Sequence, residues 1–120
     1  MLKRTCTCGH PRKSNSGEII TLSGWVNTYR DQGKGLVFID LRDRYGMTQV
    51  VFDAEDTPES VMELGASLRR EDVISVSGEI RVRDGKPNDK LETGEIELVA
   101  KEIEVINRTA KLPILPDDYE

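Results

Sequence analysis

Histidine is nearly missing from this sequence: His10 stands alone, in the opening MLKRTCTCGH. There is no glycine-rich phosphate loop, and the carboxylates are scattered rather than paired, so acid–base catalysis finds no constellation to work with. Cysteine is almost as scarce. Cys6 and Cys8 are separated by one residue, a spacing that strains a disulfide, and no second pair exists to complete a zinc site. His10 would bring the clustered ligands to three without a fourth. Reduced thiols and no metal are therefore expected. No apolar run reaches membrane-spanning length. The N-terminus lacks the apolar core of a secretory signal, so a cytoplasmic location is expected.

What is present describes one ordinary domain. The chain has 120 residues, 37% hydrophobic and 32% charged, enough for a single modest core and too few for a second. Its net charge of −5 argues against a nucleic-acid partner unless the basic residues share one face. Their distribution leaves that open, because Arg30, Lys34, Arg42, Arg44, Arg69, Arg70, Arg81, Arg83 and Lys86 occupy the middle of the chain while the tail LPDDYE is acidic.

Alternation of apolar and polar residues predicts strands at 19–27, 36–42, 47–53, 73–83 and 95–107. Gly24 is expected to bulge or bend the first, RDQGKG at 30–35 to turn the chain, and DRYG to close a tight connection flanked by Asp43 and Asp40. Between the third and fourth strands, Thr57 is a candidate N-cap with Pro58 at the first helical position. Val61, Leu64 and Leu68 then fall at helical spacing. The polar stretch DGKPNDKLETG reads as a loop, and the alternation of the fifth strand changes phase near Lys101, which predicts a bulge there. Three strands, a helix and two strands is the chain order of an all-β, five-stranded antiparallel OB-fold barrel. The domain is expected over 1–108, with 1–18 an N-terminal extension. The segment 109–120 reads as a linker to an absent further domain.

Parity then sorts the faces. Val37, Ile39, Leu41, Val50, Phe52, Ile74, Val76, Ile80, Val82, Ile96 and Leu98 point inward. Phe38, Asp40, Gln49, Arg81, Arg83 and Glu97 point outward. Phe38 is the odd member, an aromatic among polar neighbours. Near Gln49 and two arginines it suits a base that stacks and is read at its edge. Periodicity equally allows it to pack under a loop or the N-terminal segment. Arg81 and Arg83, two apart, share a face and suit a phosphate backbone, or else a solvated strand face paired with Glu79 and Glu97. Asp40 and Asp43 are read as caps of the turn between them.

A longer match narrows this. GWVNTYRDQGKGLVFIDLRDRYGMTQVVFD at 24–53, VSGEIRVRDGKPN at 76–88, TGEIELVAKEIEVINR at 93–108 and the exit LP at 112–113 resemble the N-terminal anticodon-binding domain of bacterial-type aspartyl-tRNA synthetases, over nearly the whole chain. Asparaginyl and lysyl relatives fit the run less well.

The resemblance implies that Phe38 stacks on the central anticodon base and that Gln49 hydrogen-bonds that uracil. It further implies that Arg30, Arg81, Arg83, Asn88 and Glu97 complete the tRNA-binding surface. Arg30 breaks the parity of the first strand and requires a bulge. Thr28 and Tyr29 stand where the family carries a basic cluster, and the loop QGKG is one residue longer than the common form. The loops that carry Gln32 and Lys86 would bear on the third base, which distinguishes aspartate from asparagine tRNAs. The parent enzyme implied is a homodimeric ligase that uses ATP and Mg²⁺ in a class II catalytic domain beyond this chain, with no catalytic residue here. The rivals are a free-standing single-strand-binding OB module and a subunit-interface barrel with Phe38 covered by protein. A linker-like tail speaks for the synthetase.

Overall fold

The computed structural model describes residues 2–83 and 87–108. Lys86 and the expected linker at 109–120 lie outside the described residues. After a short 3-10 turn at Lys13–Asn15 come β1 (Ile19–Gly33), β2 (Leu36–Asp43), β3 (Gly46–Asp53), α1 (Glu59–Ala66), β4 (Val73–Val82) and β5 (Ile96–Asn107). This is the expected order, and the strands close into a barrel β1-β2-β3-β5-β4. One correction applies to its pairing. β3 and β5 run parallel, through Val50↔Leu98 and Val51↔Val99, because a closed ring of five strands cannot alternate direction at every contact and must hold one parallel pair. All other pairs are antiparallel.

β1 is much longer than its alternation suggested, since it serves two neighbours. Its first half pairs β4 and its second half pairs β2. Gly24 is not the bulge: it pairs Ile74 in regular register. A Cβ there would lie 2.3 Å from the Arg42 carbonyl oxygen, so glycine is needed to let β2 come close. The bulge sits at Asn27, between the pairs Val26↔Leu41 and Thr28↔Asp40. The extra residue resets the parity. Tyr29 therefore turns toward the core, and Thr28 and Arg30 turn outward opposite Asp40 and Phe38. The phase change near Lys101 is where expected, as Ser77 pairs Glu102 and Gly78 pairs Ala100, skipping Lys101.

The interior is filled by Leu22, Val26, Ile39, Leu41, Val50, Phe52, Ile74, Val76, Ile80, Ile96 and Leu98, all fully buried. Val82 departs from the reading: at the end of β4 it is 44% exposed, beyond Glu79, where the pairing of β4 with β1 ends. The helix also differs in detail. Pro58 occupies the N-cap, and the Thr57 hydroxyl instead accepts the Asp53 N–H at 3.1 Å, tying the turn after β3. Val61 and Gly65 are the buried helical positions, and Leu68 packs below the helix end. Leu64 stays partly exposed.

The N-terminal extension follows the outside of β1. Thr5 N–H donates to the Thr21 carbonyl at 2.9 Å, and Thr21 N–H to Thr5 Oγ1 at 2.8 Å. Cys8 is buried, with Sγ 3.7 Å from the Ser23 carbonyl. Its thiol is raised above the ordinary value by burial and then by Asp43. Asp43 caps the β2–β3 turn as expected, accepting from Tyr45 and Gly46 N–H, and also from Cys8 N–H.

Candidate nucleic-acid interface

The bulge at Asn27 and the parity of the other strands bring residues from all five strands to the same outer face, two of them from β1. The result is a continuous polar thread across the barrel. Thr28 Oγ1 donates to Asp40 Oδ2 at 2.5 Å, and Arg30 Nη1 donates to the same oxygen at 3.2 Å. Arg30 Nη2 reaches Gln49 Oε1 at 3.2 Å. Gln49 Nε2 donates to Glu97 Oε1 at 2.9 Å, and Arg81 Nε donates to Glu97 Oε2 at 2.8 Å. Arg81 Nη1 ends the thread on Asp56 Oδ2 at 3.3 Å.

These bonds fix the Gln49 amide. Arginine can only donate and a carboxylate can only accept, so the carbonyl oxygen must face Arg30 and the NH₂ must face Glu97. Each end still keeps one unused valence, a second lone pair on Oε1 and a second N–H on Nε2. Beside it the Arg30 guanidinium lies 5.9 Å from the centre of the half-buried Phe38 ring, within cation–π range.

Phe38, Gln49, Arg81, Arg83 and Glu97, together with Leu36 and Asp53, line a single cleft of about 250 Å³. Its chemistry suits a flat, polar-edged ring: an aromatic platform, an oriented amide, a buried carboxylate and two guanidinium groups. Burial pulls the Arg81 guanidinium down, but the hydrogen bond and charge of Glu97, with those of Asp56, leave it above the ordinary arginine value. Arg83 is bound differently. Its Nε is buried with no hydrogen-bond partner, and among the described residues it makes no ion pair.

Five of the seven residues singled out from the sequence thus meet in one cleft, and Arg30 adjoins it through Gln49 and Phe38. Asn88 is not among the lining residues. Its Oδ1 accepts the Lys90 N–H at 3.0 Å, holding the β4–β5 loop in a turn. Two features differ from the sequence reading. Gln49 and Glu97, assigned to the outer side, are nevertheless 9% and 5% exposed, because their neighbours in the thread cover them. Asp40, read as a turn cap, is buried beneath Arg30 and Thr28. Its shared parity with Phe38 was the available signal. Asp56, in the connection after β3, had none.

Comparisons with known proteins bear on the fold and the family. The model of a family described as the OB-fold nucleic acid binding domain matches residues 20–106. The aspartate–tRNA(Asp/Asn) ligase of Desulfatibacillum aliphaticivorans is 47% identical over 118 residues, covering 98% of this chain and 19% of the relative. That of Salinibacter ruber is 48% identical over 118 residues, covering 98% and 18%. The chain therefore spans about a fifth of the length of these curated relatives. Among solved structures, an OBody bound to hen egg-white lysozyme has a TM-score of 0.78 at 27% identity, covering 94% of this chain and 97% of its own. The asparaginyl-tRNA synthetase from Pyrococcus horikoshii has a TM-score of 0.75 at 24% identity, covering 100% of this chain and 26% of its own, a likeness of fold.

Proposed function

Because the chain belongs to the family of OB-fold nucleic acid binding domains, we propose that it reads the anticodon loop of a tRNA as the N-terminal part of an aspartate–tRNA ligase. The observation that carries this reading is the Gln49 amide, held at both ends beside Phe38 in a cleft of base size. Uracil offers N3–H as donor and O4 as acceptor on one edge. An amide with one lone pair and one N–H unused, in a fixed order, complements that edge. Cytosine presents its donor and acceptor in the opposite order, so it would leave buried polar groups unpaired. Phe38 supplies stacking, which any base satisfies. Arg83 is suited to the phosphate backbone, and Arg81 to holding Glu97 in place as well.

The parent ligase would activate aspartate with ATP and Mg²⁺ outside this segment, in the cytoplasm and as a homodimer. The test is direct binding. A stem-loop carrying the aspartate anticodon should bind the 120-residue chain more tightly than stem-loops with the same bases in permuted order, and the chain should not charge tRNA. Equal binding of all permutations would instead favour a sequence-blind single-strand module.

A further inference from the structure

The polar thread contains one buried acid that does not line the cleft. Asp40 sits in the middle of β2, 8% exposed. Its Oδ2 takes hydrogen bonds from both Thr28 and Arg30. Both donors come from the part of β1 that the Asn27 bulge re-phases, so the bulge, Asp40 and the base-reading amide are linked through Arg30.

We infer that Asp40, backed by Thr28, is a positioning residue for base selectivity: it holds the Arg30 guanidinium against Gln49 Oε1 and so keeps the amide in one donor–acceptor order. This rests on the base-reading proposal above. The Arg30 side chain is 43% exposed, whereas that of Asp40 is 12% exposed. An arginine so exposed, without its anchor, regains rotamer freedom and spends less time at the amide. Glu97 still holds the other end of Gln49. Loss of Asp40 therefore loosens one of two locks, and selectivity narrows rather than vanishes.

The same ion pair gives the inference a signature that a purely structural role lacks. Asp40 neutralises Arg30, so removing the carboxylate frees a positive charge beside the cleft. Overall attraction for RNA should hold or rise at low salt, with a steeper salt dependence, while the preference for uracil falls.

The test uses the 120-residue chain and fluorescent anticodon stem-loops with uracil or cytosine at the central position. The wild type is expected to prefer uracil. Asp40→Ala should reduce that preference by roughly fivefold, within what one bidentate base contact supplies. Asp40→Asn, which keeps an acceptor and loses the charge, should fall between the two. In a Gln49→Ala background, Asp40→Ala should change the uracil-to-cytosine ratio no further. An Asp40→Ala ratio equal to wild type, or an equal loss for both bases, overturns the inference. Should Asp40→Ala fail to fold, Thr28→Val removes only one of the two hydrogen bonds and carries the same test. A smaller narrowing supports the inference and an unchanged ratio overturns it. A wild type with no preference between the bases defeats the base-reading proposal itself, and the role of Asp40 with it.

Discussion

Replacing Gln49 by alanine removes two hydrogen bonds at once and leaves an Arg30 N–H and a Glu97 oxygen facing a gap. Since Glu97 is 5% exposed, its Oε1 has little water to turn to, although Oε2 keeps the Arg81 guanidinium. The cost to stability should be about 1–3 kcal/mol, seen as a lowered thermal midpoint by circular dichroism. Gln49 has outward parity, yet the thread that buries it makes its removal costly to the fold. Phe38→Ala should weaken binding for every central base, since stacking is indifferent to base identity and is worth roughly 1–3 kcal/mol. The cysteines give an independent check at the residue scale. Burial raises both thiols, and Asp43 raises Cys8 further, so less of the reactive thiolate is present at neutral pH than in a free cysteine. Iodoacetamide should modify Cys8 in the folded chain far more slowly than in urea, with Cys6 intermediate. Equal rates for Cys8 in the two states would contradict its placement under Ser23.

At the scale of elements, α1 shows how packing overrides propensity. Gly65 lies inside the helix, where alanine would ordinarily be better by about 1 kcal/mol. A Cβ at Gly65, however, would lie 2.5 Å from the Phe52 ring, and Phe52 is fully buried. Gly65→Ala should therefore destabilise, by the 1–3 kcal/mol typical of overpacking. Urea unfolding measures it, and a gain in stability would show that the helix can shift off the barrel. The strands illustrate what a sequence can reveal. Alternation placed the inward residues of β2, β3 and most of β4 correctly, and its change of phase marked the Lys101 bulge, because period two is a direct consequence of the pleat. The bulge at Asn27 had no such mark. Only the misfit of Arg30 hinted at it, and Gly24, the residue that looked like a breaker, serves a close strand approach instead. The parallel contact of β3 with β5 belongs to barrel closure, which no local pattern encodes. The site was legible wherever it followed strand parity, as for Phe38, Gln49, Arg81 and Glu97. It was illegible where it depended on a partner brought from afar, as Asp56 is to Arg81.

For the whole molecule, the net charge of −5 bears on the proposed RNA binding through where charges cancel. Arg30 is paired with Asp40, and Arg81 with Glu97 and Asp56. Arg83, which lines the same cleft, is the arginine of that face best placed to meet a phosphate. Arg83→Ala should lower the salt slope of binding by about one and weaken all RNAs alike. Arg81→Ala should weaken binding more at low salt, because it leaves the Glu97 carboxylate, which lines the cleft, without its cation. Identical slopes for wild type and Arg83→Ala would remove Arg83 from the phosphate contacts. The central claim, that the cleft reads one base by an amide held in a fixed order, is tested most directly by Gln49→Ala. Stem-loops with each of the four bases at the central anticodon position are titrated against wild type and variant, at a temperature where circular dichroism shows both folded. The account predicts that the variant loses most affinity for uracil and that the gap to the other bases narrows. A preference for uracil that survives intact would contradict it.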